Sequence, residues 1–331
     1  MYLETLPIGE ALGHILRHNI AAADGRKALP KGRLLADADL AVLAELNIAQ
    51  VRVAILEPGD VHEDEAARRL GIAVAGRGIV AGKATHSRVN LLAAGAGILD
   101  INTEALLGIN EIDGLTIATL VRHTPVRERM RVATIKIIPF AVPEGLLAAA
   151  EAIGRTAAGI VNVRPLQALP VGVVLVGSTA ARSRIERSVV PAIEARVVSY
   201  GSSLLATRYT VPEEAEIAAA IGELRAAGAA LLIIAGETSI MDRDDVTPRG
   251  IRQAGGWIEH YGAPVEPGNL LLMAYLPASA THPETAVLGA PGCVRSRDVN
   301  IVDLLLPRLL SGERISRRDI VRLGHGGLLA H

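Results

Sequence analysis

Two short runs constrain this chain more than anything else in it: residues 171–176 (VGVVLV) and 231–235 (LLIIA) have no polar member. A strand with one face in water alternates apolar and polar residues, because successive side chains point to opposite sides. A run with no such alternation must be covered on both faces, which is the pattern of a parallel sheet between two layers of helices. The intervening stretches supply those helices. Residues 182–195 place Ile185, Val189, Ala192 and Ile193 at three- and four-residue spacings, which line up on one helix face. Pro212, Glu213 and Glu214 open a second helix, since a proline and acids suit a first turn whose N–H groups lack partners. Gly228 ends it. Residues 204–209, 270–276 and 286–288 read as further strands, and another helix begins near Asp298. The expected fold class over residues 166–331 is α/β, a three-layer α/β/α domain with a mainly parallel sheet.

Residues 1–165 carry a different pattern. A short helix is expected at 8–16, a turn at 29–32, a helix from Asp37 to about Leu46, and strands at 51–56, 114–121 and 131–139. The last of these, RVATIKIIP, is long and alternating. A helix at 144–156 and a linker at 161–168 complete an α+β domain with antiparallel pairing. A chain of 331 residues is long enough to bury two cores. Only 2% of residues are aromatic, so those cores are built from Ala, Val, Leu and Ile.

Charge and cysteine content exclude several functions. A formal net charge of −1 gives no global field to recruit nucleic acid or an anionic membrane. A single cysteine, Cys293, excludes a disulfide framework and a zinc-ribbon site. The amino terminus shows no basic region followed by an apolar run, and the apolar runs are too short to span a bilayer. A cytoplasmic location is therefore expected, with neither membrane nor nucleic acid as partner.

In a parallel sheet, ligands bind outside the carboxyl ends of the strands. That rule singles out the loops at 177–182, 236–248 and 289–298. The second, GETSIMDRDDVTP, packs Asp242, Asp244 and Asp245 beside Thr238, Ser239 and Thr247. Carboxylates so arranged can hold a Mg²⁺ shared with substrate phosphates, or orient a nucleophile at phosphorus. Asp245 or Thr247 can equally serve as the N-cap of a helix starting at Pro248. The third loop, GAPGCVRS, has small residues that let backbone N–H groups approach an anion, and Arg295 can pair with phosphate. Its plainer reading is a Gly-Pro turn with a solvated arginine. Pro267, Gly268 and Asn269 form a turn into the strand at 270–276. Cys293 reads as a small buried residue rather than a nucleophile. Arg314, Arg317, Arg318 and Arg322 read as a solvated helix face.

At these loops the sequence resembles the molybdopterin-binding domain shared by molybdopterin adenylyltransferases and molybdopterin molybdenumtransferases. The adenylyltransferase pattern GGTG…RDVTP is matched by Gly236, Thr238 and Asp245-Val246-Thr247-Pro248, and its acid after a proline by Pro212-Glu213. The molybdenumtransferase pattern GGVSVGDYD is matched by Gly236, Ser239, Asp242 and Asp244. Pro267-Gly268-Asn269 and Gly289, Pro291 and Gly292 match the two later loops of both. The motifs DRDDV, GAPVEPGN, PGCVRS and GGLL, with KGRLL and ATIKIIPF earlier, are most similar to a bacterial group of molybdopterin-binding proteins. Some of its members are fused to a molybdenum cofactor nucleotidyltransferase.

The resemblance implies molybdopterin or its nucleotide form as ligand or substrate, with Mg²⁺, in a homo-oligomer. Ser178, Thr179, Gly292 and Arg295 would take the phosphate end, with Gly236, Thr238, Ser239, Pro267, Gly268, Asn269, Pro291 and Ser296 also binding the cofactor. Asp242, Asp244, Asp245 and Glu213 would be the catalytic residues, with Asp242 and Asp244 also holding the metal. The implied reaction is nucleotidyl transfer to the pterin phosphate or molybdate insertion. The alternative is a non-catalytic carrier that partners a cofactor nucleotidyltransferase or a molybdoenzyme; a further one is a drifted fold that takes another nucleotide-like ligand. Departures bear on catalysis. Glu237 and Met241 stand where the enzymes have glycines, so the loop backbone must differ if those glycines have φ > 0. The DGYA-type segment and a further C-terminal domain are not matched.

Overall fold

The computed structural model describes residues 1–156 and 158–329. The chain divides into two compact units, Met1–Arg164 and Pro165–His331.

The second unit is built on a six-stranded sheet. Its strands are β1 (Pro170–Val176), β2 (Ser203–Thr210), β3 (Leu231–Gly236), β4 (Trp257–Tyr261), β5 (Leu272–Leu276) and β6 (Thr285–Gly289), in the order β2-β1-β3-β6-β5-β4. The pairs β1–β2, β1–β3 and β3–β6 are parallel. The strand β5 runs antiparallel to both β6 and β4. The two apolar runs are thus neighbouring parallel strands, in a register that sets Val176 opposite Gly236. The helices are α1 (Arg182–Ser199), α2 (Glu214–Ala226), α3 (Val246–Gln253), α4 (Ile301–Leu310) and α5 (Arg317–Val321).

Both faces of β1 are buried, as its composition requires. Val173 and Leu175 pack with Ile185, Val189 and Ile193 of α1 and Leu305 of α4. Val174 and Val176 pack on the other side with Ile217, Ile221 and Leu224 of α2. Each such side chain contributes about 1.5–3 kcal/mol when fully removed from water, which is why this layer order is fixed by so short a strand. The helix α4 starts later than the sequence suggested. Asn300 Oδ1 accepts the Val302 N–H (3.0 Å) and Asp303 Oδ2 the Asn300 N–H (2.9 Å), a reciprocal cap that outcompetes Asp298.

In the first unit, the strands Tyr2–Pro7 and Gln50–Ile55 pair antiparallel, and Ile15–Leu16 joins the other edge of Gln50–Ile55. A four-stranded antiparallel sheet contains Leu115–Thr119, Arg131–Ile137, Arg88–Ala93 and Ile79–Ala81. The helix Glu144–Thr156 lies where it was expected. Two expectations are corrected. Residues 8–16 form only a 3₁₀ turn, Ile8–Glu10, before the strand Ile15–Leu16, because Gly13 adopts φ +77° between them. The presumed linker holds a strand, Val161–Pro165, whose Val161 and Val163 enter the unit's core. Arg69 joins the helix Glu63–Val74 to Glu144–Thr156 by bonding Glu144 (2.7 Å) and Glu151 (2.8 Å). Among the described residues no helix is long and apolar enough to cross a membrane.

Candidate functional site

The register of β1 and β3 decides what meets at their carboxyl ends. The first residue past β1 is Gly177, whose N–H donates to Thr210 O (3.0 Å). A Cβ there would stand 2.7 Å from both Ile185 Cδ1 and Tyr209 Oη, and 3.1 Å from Glu237 Cβ. Only glycine fits under this crossing. Ser178 follows, exposed, and leads through a 3₁₀ turn, Thr179–Ala181, into α1. Tyr209 Oη donates to Ser178 O (2.6 Å) and fixes the turn; burial pushes the tyrosine's pKa upward.

Past β3, the Glu237 N–H donates to Val176 O (2.8 Å). Its side chain then lies back across the end of β1. One carboxylate oxygen accepts from the Ser178 N–H (3.0 Å) and Ser178 Oγ (2.9 Å), and the other from Arg184 Nη2 (3.0 Å). The Ser178 donors and Arg184 hold this carboxyl below the usual carboxylate range. Between these strand ends lies a cleft of about 450 Å³ lined by Gly177, Ser178, Gly236, Glu237, Thr238, Ser239, Asp245 and Thr247, among others.

The acidic loop bonds mainly to itself. Asp245 is the residue before α3, yet its side chain caps no N–H of that helix. Its Oδ2 instead accepts the N–H groups of Met241 (2.5 Å) and Asp242 (3.0 Å). Thr247 is buried within α3 and is not a cap. Asp242 Oδ1 accepts the Asp244 N–H (2.8 Å), and Asp244 pairs with Arg252 (3.1 Å). None of the positive-φ residues lies between 236 and 248, so Glu237 and Met241 adopt backbone open to any residue. Among the described residues, no three of His, Cys, Asp and Glu gather to hold a metal ion.

The third loop is joined to the second at two points. The Gly292 N–H donates to Ser239 Oγ (3.3 Å). Arg295 Nη2 donates to Gly236 O (2.8 Å) and Glu237 O (3.2 Å), while its Nε is buried with no hydrogen-bond partner. Arg196 anchors the loop from α1, reaching Asp303 (2.8 Å), Val294 O (2.9 Å) and Ser296 O (2.8 Å). Ser296 Oγ donates to Asp298 (2.6 Å). Burial raises the pKa of the half-buried Cys293 thiol, the opposite of what a nucleophile needs. Gly268, at φ +138°, would place a Cβ 2.4 Å from Ile301 Cγ2, so the 267–269 turn packs on the start of α4.

Of the residues proposed from sequence, Ser178, Gly236, Thr238, Ser239 and Asp245 come together around the cleft. Thr179, Glu213, Asp242, Asp244, Pro267, Gly268, Asn269, Pro291, Gly292, Arg295 and Ser296 are not among its lining residues. Glu237, Arg184, Tyr209 and Arg196 were not singled out as functional. A charged residue directly after an apolar strand was the available signal for Glu237.

No protein-family model matches the chain, and no curated protein matches it in sequence. Among solved structures it is similar to a molybdenum cofactor biosynthesis protein from Pyrococcus furiosus, with 13% identity over 97% of this chain and a TM-score of 0.26. The chain spans 65% of that protein's length. It is also similar to the molybdopterin biosynthesis MoeA protein from Pyrococcus horikosii, with 12% identity, coverage of 94% and 75% of the two chains, and a TM-score of 0.31. The tungsten cofactor synthesizing protein MoaB from Pyrococcus furiosus is 15% identical over 43% of this chain and 91% of its own, with a TM-score of 0.31. The α/β class rests on the chain's own strand pairings.

Proposed function

We propose that the chain binds molybdopterin, or its nucleotide form, in the cleft at the ends of β1 and β3, and acts in assembly of the molybdenum cofactor. The observation that supports this most directly is where the resemblance motifs fall. Some of the residues that carry the likeness to the molybdopterin-binding family, Gly236, Thr238, Ser239 and Asp245-Val246-Thr247, line one concave site, at the strand ends where ligands of parallel sheets bind.

The bonding of the acidic loop favours a carrier over an enzyme. Asp242 and Asp244 each have an oxygen engaged within the loop or by Arg252. Two carboxylates serve a Mg²⁺ only when substrate phosphates and water complete its shell, so the ion would arrive with a nucleotide. A carrier of this kind would pass the pterin to a cofactor nucleotidyltransferase or a molybdoenzyme.

The test is titration of the purified protein with molybdopterin, followed by assay of nucleotide release with and without Mg²⁺. Saturable binding that Thr238→Trp, a substitution filling the cleft, abolishes at unchanged melting temperature is the expected result. Absence of binding by the unaltered protein would remove the proposal. Mg²⁺-dependent release that Asp242→Asn/Asp244→Asn eliminates would replace the carrier with an enzyme.

A further inference from the structure

We propose that Glu237 is a resident anion that holds a phosphate-binding subsite and thereby determines which ligands the cleft admits. The inference rests on the reading of the cleft as a ligand site and adds a residue that selects among ligands. Its basis is the donor set around the carboxylate. A backbone N–H, a hydroxyl and a guanidinium converge on Glu237 from Ser178 and Arg184. These three kinds of donor are the ones that recognise phosphate oxygens. The fold spends them on a side chain of its own.

The placement is enforced from the other side. Glu237 Cβ would lie 3.1 Å from a Cβ on Gly177, so the absence of a side chain at 177 opens the path the glutamate takes. The Ser178 carbonyl is held by Tyr209 (2.6 Å), which keeps the Ser178 donors aimed while Glu237 is in place. With Glu237 present, the charge of Arg184 is cancelled, and Asp245 adds a second carboxylate to the lining. A small phosphate therefore meets a subsite that is filled and locally not cationic. A larger phosphorylated ligand, whose remaining atoms bind elsewhere in the cleft, brings enough interaction to displace the glutamate. Glu237 thus excludes free phosphate and small phosphate esters.

Equilibrium dialysis with inorganic phosphate as the probe tests this without any pterin. Glu237→Gln keeps the shape and removes the charge. It should tighten phosphate binding about tenfold or more, the size expected for removing one like charge a few ångströms away. The gain should vanish in Glu237→Gln/Arg184→Ala. Glu237→Ala, which also empties the subsite, should show at least the same gain and covers the case in which the glutamine variant folds poorly. Equal phosphate affinity in the variants and the unaltered protein overturns the proposal, as does a gain that survives loss of Arg184. Failure of the pterin titration with success here, or the reverse, separates this inference from the functional reading beneath it.

Discussion

The loop after β3 and the loop after β6 reach the same end of the sheet but are held there in opposite ways. In the first, exposed or half-buried carboxylates bond mostly to their own neighbours: Asp245 to the N–H groups of Met241 and Asp242, and Asp242 to that of Asp244. The second is gripped from outside. Arg196, only 8% exposed, projects from α1 and takes the carbonyls of Val294, Ser296 and Asp298 together with the Asp303 carboxylate. A loop closed on itself can be reshaped by a ligand without disturbing the core. One pinned by a buried charge cannot, because opening it strands that charge. The cleft thus has one adaptable wall beside one fixed anchor.

The largest expected effect comes from the anchor. Arg196→Ala should cost about 3 kcal/mol in urea unfolding, because it leaves the Val294, Ser296 and Asp298 carbonyls without their donor and unpairs the partly buried Asp303. A loss below about 1 kcal/mol, the range of exposed pairs, would erase the distinction between the loops. The intermediate case is Asp245→Ala, which removes the acceptor for two backbone N–H groups at a half-buried position. Water replaces part of that bonding, so the expected cost is about 1 kcal/mol. Thermal melting monitored by circular dichroism checks it. A cost comparable to that of Arg196→Ala would show that the acidic loop is also structural.

How much of this was legible follows from where partners lie in sequence. The strands β1 and β3 were readable because burial on both faces leaves no polar residue in the run. The strand-end rule then pointed to the loops from which Ser178, Gly236, Thr238, Ser239 and Asp245 line the cleft, and also to Asp242, Asp244, Gly292 and Arg295, which do not. Glu237 was seen only as a departure from glycine. Its partner Ser178 is 59 residues away, and only the pairing of Val176 with Gly236 brings them together. Arg196 lies three residues after Ile193 and four after Ala192, on the apolar face of α1, and the carbonyls that satisfy its charge belong to a turn about a hundred residues later. In the first unit, strands such as Ile15–Leu16 and Ile79–Ala81 have two and three residues, too few for alternation to register. The helix Glu63–Val74 is absent from the sequence reading, although its buried Ala66, Ala67, Leu70 and Val74 stand at helical spacing.

The smallest expected effect sharpens the comparison most. Arg252 bridges Asp244 (3.1 Å) and also donates to Arg243 O (3.0 Å), so it ties α3 to the middle of the acidic loop. If the loop is closed on itself, this bridge adds little. Its side chains are 43% and 77% exposed, where solvent screens the attraction and ordering two long side chains offsets it. Arg252→Ala should therefore change stability by less than about 0.5 kcal/mol, a shift in melting temperature of about 2 °C or less for a unit of this size. Raising salt to about 1 M shortens the screening distance to about 3 Å and should remove even that difference. A salt-independent loss of 2 kcal/mol or so, the scale of a hydrogen bond to a buried charge, would show that Arg252 does for the acidic loop what Arg196 does for its neighbour. The loop after β3 would then be fixed like the loop after β6, and a ligand would have to fit the site without reshaping it.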